Sequence, residues 1–303
     1  MTEEIFERCT MELFGTAEMI DLRGWGESLI LPDIQKRIAT ASAYATIRVV
    51  SNLAFRRREV LDQLVDVGAH VVVSIDSVQP SIFAALRGGA DIRIVLENLG
   101  ILVAGYIQRF GSADRIVVAT TVQRPALPDL EKIVAVAADH GVLEVRLFGV
   151  TAPPSSAFSL DGFGPEVQAS LDRMAQIADA RGVTLVTGTR LGLLPANGMD
   201  VPPCIHPWAY AHIAFDGSVG FCDHLIGPDG RAFFLGSLHQ SSFREIWNCP
   251  AWTVLRAEHA GRRDHQAPHF YECAWCYRNR FVDFEHYFDA AACDRRIILG
   301  GPR

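Results

Sequence analysis

Cysteine carries the most telling chemistry in this sequence. Six of the seven cysteines lie from Cys204 onward, together with four of the five tryptophans. Cys204 and Cys222 bracket a segment in which 211–215 and 218–221 read as strands and Asp216-Gly217 as the turn between them. Asp-Gly between short apolar runs is a strong hairpin signal. A hairpin brings its ends together, so the two thiols can meet at the open end. Cys273-Ala274-Trp275-Cys276 is a C-x2-C knuckle, whose spacing lets both sulfurs reach one centre. Two close pairs make four soft thiolate donors. These suit zinc or an iron–sulfur cluster, not magnesium or calcium. The plain alternative is that the four are buried structural thiols.

The remaining cysteines are single. Cys9 falls in the first predicted helix, where packing is its expected role. Cys249 lies between Asn248 and Pro250, at a predicted helix end. It is a small buried residue or, alternatively, an active-site thiol. Cys293 is either a lone thiol or a spare ligand. His206 and His224 neighbour Cys204 and Cys222 and are expected to form local hydrogen bonds.

These groups need elements to place them. The first 190 residues alternate β-branched runs with helical patterns. Strands are predicted over 19–23, 46–51, 70–76, 115–123, 143–148 and 183–186. Helices are predicted over 1–13, 32–44, 57–67, 80–110, 128–140 and 165–181. Gly68, Gly141 and Gly182 stand at the ends of three of these helices, as C-terminal caps do. Repeated βα units predict a parallel sheet covered by helices on both faces, a partial or full β/α barrel. Barrel chemistry sits at the strand C-termini. There the sequence offers Gly24, Gly26 and Glu27, then Ser51 and Asn52, then Ser74, Asp76 and Ser77, then Thr120, Thr121 and Gln123, and Arg146. Turn formation and helix capping explain such residues equally well. Pro202, Pro203 and Pro207 mark a linker. The expected division is therefore a β/α domain over 1–195 and a small Cys-rich domain over 196–303, with a hydrophobic core weak enough to need a metal staple.

Composition narrows the partners. With 49% hydrophobic and 21% charged residues, the chain is globular rather than disordered. A net charge of −7 without a basic run excludes a general nucleic-acid surface. Apolar runs are strand-sized, too short for a membrane span. The acidic start Met1-Thr2-Glu3-Glu4 is unlike a secretory signal. The expectation is a cytoplasmic protein whose cysteines serve metal binding or reactivity rather than disulfides.

At this point the residues resemble a known family. Cys204-x12-Gly217-x4-Cys222, then Leu235-Gly236-Ser237, then Ser242-x2-Glu245-Ile246-Trp247-Asn248, then Cys273-x2-Cys276 resemble the SPASM and twitch domains of radical S-adenosylmethionine enzymes. The longer seven-cysteine SPASM pattern does not continue beyond Cys276, so the shorter, twitch-like form is the better likeness. The resemblance implies one auxiliary [4Fe–4S] cluster on Cys204, Cys222, Cys273 and Cys276. It also covers the barrel. Ile20-Asp21-Leu22-Arg23-Gly24-Trp25-Gly26-Glu27 resembles the family's second strand with a variant Gly-Gly-Glu motif. This implies that Gly24, Gly26 and Glu27 hold the amino group of S-adenosylmethionine. Glycine permits close approach, and a carboxylate pairs with an ammonium. Ser74 and Asp76 resemble positions near the cofactor's carboxylate and ribose, and Arg87 is a carboxylate partner. The implied fold is a partial (β/α)6 radical S-adenosylmethionine barrel lacking its first strand, with an exposed sheet edge in its place.

One departure matters. The family generates its radical with a C-x3-C-x2-C loop after the first strand. Cys9 is the only cysteine before Cys204. A gene model starting at an internal methionine, a truncated gene and a genuinely reduced protein all give this pattern. The resemblance implies an oxidoreductase or epimerase that takes a hydrogen atom from a sugar, a cyclitol or a peptide, with flavodoxin or ferredoxin as reductant. Cys249 is then the candidate hydrogen donor for epimerisation. The competing expectations are a non-catalytic iron–sulfur partner protein on an incomplete barrel, and a four-cysteine zinc site.

Overall fold

The computed structural model describes residues 1–24, 26–150, 152–187, 204–222, 233–261 and 273. They form two units: Met19–Leu194, and Met1–Glu18 together with Pro195–Arg303. Cys276, Cys293 and His224 lie outside the described residues.

The first unit runs β1 (Met19–Asp21), α2 (Ile34–Ser42), β2 (Thr46–Ser51), α3 (Arg58–Val67), β3 (His70–Ser74), α4 (Pro80–Leu86), α5 (Ile92–Phe110), β4 (Ile116–Val122), α6 (Glu131–Asp139), β5 (Glu144–Gly149), α7 (Gly164–Arg181) and β6 (Thr184–Thr187); α1 (Glu3–Glu12) belongs to the other unit. All six strands are parallel in the order β1-β2-β3-β4-β5-β6, as repeated βα units demand. β1 and β6 are its edges. Gly68 and Gly182 end α3 and α7 in the left-handed conformation that glycine adopts without strain.

Register separates the two sheet faces. Ile20, Ile47, Val49, Val71, Val73, Ile116, Val118, Val145 and Leu147 point to one face, and all are buried. The other face departs from the apolar covering expected for both sides. Asp21, Arg48 and His70 stand in register across β1, β2 and β3, and Ser74, Ala119 and Arg146 across β3, β4 and β5. Arg48 and Arg146 are 5% and 2% exposed. Asp21 Oδ2 lies 3.4 Å from Arg48 Nη1 and 3.1 Å from Arg23 Nε, and Arg146 pairs with Glu144. Buried charges are carried in pairs because an isolated one costs too much desolvation.

The second unit contains α1, then α8 (His206–Ala209), β7 (His212–Ile213), β8 (Ser218–Gly220), β9 (Phe234–Ser237), α9 (Phe243–Trp247) and α10 (Pro250–Gly261). β7, β8 and β9 form an antiparallel sheet. The expected hairpin is β7–β8, with Gly217 at φ 78° in its turn; β9 is a third strand that the sequence reading did not separate. The core is firmer than its size suggests: Trp252, Leu238 and Val219 are fully buried.

The sequence reading put 1–18 with the barrel; the structure groups α1 with the C-terminal segment instead. A Cβ on Gly217 would lie 2.7 Å from Ile5 Cδ1, Arg8 Nη2 donates to Ser241 O at 3.3 Å, and Phe243 N donates to Glu12 Oε2 at 2.6 Å. An amphipathic pattern shows that a helix has an apolar face but not which core receives it.

Candidate functional site

In the first unit the sequence-selected residues gather at the strand C-termini. After β1 the chain passes Gly24 and Gly26. Neither has a positive φ, and a Cβ on either would meet nothing within 4 Å. The protein's own packing therefore does not require glycine there. Open space over a bare backbone suits a ligand that approaches closely. Glu27 follows, and it is well tied. Its Oε1 accepts from Ser51 Oγ at 3.0 Å and Leu29 N at 3.2 Å, and its Oε2 accepts from Asn52 N at 2.8 Å. A carboxylate has about four acceptor positions, so roughly one remains for a ligand.

Ser74 ends β3 on the charged sheet face and is half-buried. Asp76, just beyond it, is 4% exposed. Thr121 N donates to its Oδ1 at 2.8 Å, and Arg87 Nη2 lies 2.6 Å from its Oδ2. Burial pushes the Asp76 carboxyl above the usual carboxylate range, against the opposing pull of Arg87 and the Thr121 bonds. Arg87 is thus engaged within the protein, on a second sequence-selected residue. Its Nε is buried and has no hydrogen-bond partner among the described residues.

A loop missed by sequence reasoning holds this end of the sheet. Leu53 has φ 51° and is fully buried, an unusual conformation for a branched residue. Asn98 Nδ2 on α5 donates to Leu53 O at 2.8 Å and Phe55 O at 2.7 Å, and Leu53 N donates to Ser51 Oγ at 2.9 Å. Strain of this kind persists only where the surroundings over-determine it. The visible signal was Ser51-Asn52 at a strand end.

In the second unit Cys204 precedes α8 and Cys222 follows β8, on either side of the hairpin as expected. Cys222 and Cys273 are buried and Cys204 is half-buried. None of the three is joined in a disulfide. Among the described residues no three histidine, cysteine or acidic side chains form a metal-holding group; Cys276, the fourth donor of the sequence reading, lies outside them. Thiolate donors suit a soft metal centre, but the described structure does not gather Cys204, Cys222 and Cys273 into one such group. His206 is buried and stacks on Tyr210 at 4.8 Å. Cys249 sits at the start of α10, half-buried, with its carbonyl accepting from Thr253 N at 3.0 Å. Cys9 is 3% exposed in α1, and burial pushes its thiol up to about 12, so it is inert at neutral pH.

A separate groove of 570 Å³ runs along α7 and β6, lined by Leu171, Ala175, Val183 and Leu185 among others. It touches none of the selected residues. Among the described residues, no helix is long and apolar enough to cross a membrane.

Residues 204–277 match the SPASM family model, an iron–sulfur cluster-binding domain. No curated protein matches the chain. The fold is similar to that of SuiB from Streptococcus suis, with TM-score 0.63 and 11% identity over 84% of this chain and 60% of that one. It is similar also to anSMEcpe with bound AdoMet, with TM-score 0.62 and 13% identity over 84% and 73% of the two chains. SuiB bound to its precursor peptide SuiA gives TM-score 0.62 and 11% identity over 79% and 56%. The chain thus spans 60% of the length of SuiB. Its fold is that of SuiB and anSMEcpe, and its residues 204–277 match the SPASM iron–sulfur cluster-binding domain.

Proposed function

We propose that this chain is the larger part of a radical S-adenosylmethionine oxidoreductase or epimerase acting on a peptide. The observation that carries the reading is the SPASM match, which spans Cys204, Cys222, Cys273 and Cys276 together. These four would hold a [4Fe–4S] cluster, which supplies one-electron chemistry when bound. Gly24, Gly26 and Glu27 would seat the ammonium of S-adenosylmethionine. Ser74, Asp76 and Arg87 would take its carboxylate and ribose. The open backbone of Gly24 and Gly26 supports that placement. The peptide substrate is suggested by SuiB and its precursor peptide, and by anSMEcpe, which has been seen with the Cp18Cys peptide. For epimerisation, Cys249 is the candidate donor. Its S–H bond would break homolytically, the hydrogen atom would pass to the substrate radical, and the thiyl left behind would need one electron from an external reductant and one proton from solvent to become a thiol again.

Residues 1–303 contain no C-x3-C-x2-C segment. In this reading the segment is supplied from outside them. The same observation favours a second reading, a non-catalytic iron–sulfur partner protein. The test is anaerobic reconstitution with iron and sulfide, then a count of iron and zinc per chain. About four irons, lost when Cys273 and Cys276 are changed to Ala, are expected. Zinc alone, or no metal, overturns the cluster assignment. A C-x3-C-x2-C in frame upstream of the Met1 codon discards the partner-protein reading. A chain extended by that segment should release 5′-deoxyadenosine from S-adenosylmethionine under reducing conditions.

A further inference from the structure

A chain of hydrogen bonds joins Glu27 to Asn98 on α5. Glu27 Oε1 accepts from Ser51 Oγ at 3.0 Å, and its Oε2 accepts from Asn52 N at 2.8 Å. The same Ser51 Oγ accepts from Leu53 N at 2.9 Å, and Asn52 Oδ1 accepts from Ala54 N at 2.9 Å. Asn98 closes the turn: its Nδ2 donates to Leu53 O at 2.8 Å and to Phe55 O at 2.7 Å. Ser51, Leu53 and Asn98 are all buried.

The side-chain type matters. An amide carries two hydrogens on one nitrogen, so asparagine satisfies two carbonyls at once; aspartate would set oxygen against oxygen, and serine could donate to one. The two carbonyls flank Ala54, and fixing both fixes the turn between them. Leu53 holds its φ of 51° there. Such strain persists only where the surroundings impose it, and two buried carbonyls deprived of their donor are costly. If Leu53 relaxed to a negative φ, its N–H would turn away from Ser51 Oγ and the Asn52 N–H would shift with it. Two of the three donors that hold Glu27 come from this turn. The space they aim the carboxylate toward includes Gly24 and Gly26, where a Cβ would meet nothing within 4 Å. A carboxylate bonds a ligand ammonium well only when its remaining acceptor position faces that ammonium.

We propose that Asn98 is a positioning residue: through Leu53 and Ser51 it aims the Glu27 carboxylate at the ammonium of S-adenosylmethionine. The assignment rests on the reading of Gly24, Gly26 and Glu27 given above. The test compares S-adenosylmethionine with 5′-methylthioadenosine, which keeps the adenosine and lacks the amino-acid end, by calorimetric titration of the full chain reconstituted without oxygen. The wild type should bind S-adenosylmethionine the more tightly. Asn98→Leu, similar in size and without donors, should bind it about tenfold more weakly, as for a weakened hydrogen bond to a charged group, and should bind 5′-methylthioadenosine unchanged. Combined with Glu27→Gln, it should cost no further affinity, because both changes act on one contact. In the ligand-free chain, hydrogen exchange at the Asn52 and Leu53 amides should rise. Asn98→Ser keeps one donor and should fall between the two, which decides the matter if Asn98→Leu does not fold. Wild-type affinity in a folded Asn98 variant, an equal loss for both ligands, or losses that add to that of Glu27→Gln overturn the Asn98 assignment and leave the Glu27 seat standing. A wild type that binds S-adenosylmethionine no more tightly than 5′-methylthioadenosine overturns the seat, and the Asn98 assignment with it.

Discussion

Glu27 is where the resemblance and the structure assign different work, and Glu27→Gln separates them. A residue that serves only to bind a ligand ammonium can lose its charge at no cost to the ligand-free protein. The structure instead gives its carboxylate three donors: Ser51 Oγ, Leu29 N and Asn52 N. Glutamine offers one oxygen in place of two. With that oxygen on Ser51 and Leu29, the new amide NH2 faces the Asn52 N–H, donor against donor. The loss of one charge-assisted hydrogen bond and an unsatisfied part-buried N–H costs about 1–3 kcal/mol. The neighbouring Leu53 turn adds to this, because its positive φ is held partly through Ser51. Thermal stability falls about 2–4 °C per kcal/mol for a domain of roughly this size. The expected drop in Tm is therefore about 2–12 °C in ligand-free protein, followed by circular dichroism. Glu27→Ala, which removes both oxygens, should fall further. A Glu27→Gln protein within 1 °C of the wild type, measured without ligand, would refute the claim that this carboxylate holds the β1 and β2 loops together.

Other outcomes follow from particular contacts. Asp76 has its folded pKa raised, so between the ordinary value of 3.8 and the raised one the folded state binds more protons than the unfolded. Stability should then fall as pH rises through that window, and the Asp76→Asn melting curve should lack this slope. Cys9 should resist iodoacetamide in the native chain and react only on unfolding, as peptide mapping by mass spectrometry would show; rapid native labelling contradicts its burial. Ile5→Ala, in α1, removes a fully buried side chain at a cost of about 2–5 kcal/mol. Hydrogen exchange should rise in β7, β8 and α9, far from Ile5 in sequence. Leu53→Gly relieves about 1–3 kcal/mol of backbone strain but forfeits about 2–5 kcal/mol of core packing, so chemical denaturation should show a modest net loss.

Much of the architecture was legible because it is written in local patterns. Six apolar runs separated by helices can hardly be other than a parallel sheet, and Gly68, Gly182 and Asp216-Gly217 mark their turns where the backbone takes positive φ. The cysteine spacing carried the iron–sulfur domain. What stayed hidden depends on groups far apart in the chain. Arg87, just past the end of α4, meets Asp76, just past β3, and nothing in the intervening residues marks the pair. Glu12 meets Phe243, and Arg256 meets Pro207. The positive φ at Leu53 was invisible because a branched apolar residue normally argues against it, and the Asn98 bonds that enforce it come from a helix 45 residues away.

The placement of α1 sets a schedule for the life of the molecule. Its apolar face, Ile5, Phe6 and Cys9, is synthesised long before the residues it packs with: the partner of Glu12 lies 231 residues later. At about 5–20 residues per second, translation keeps that face waiting roughly 10–50 s. The β/α unit can fold during the delay, since Met19–Leu194 is continuous in sequence, whereas the cysteine-bearing unit must be assembled from two distant stretches of chain. Completion of the cysteine-bearing unit is then a late event, and α1 acts as its gatekeeper. Deletion of α1 would be read out far away in the sequence, in β7, β8 and α9.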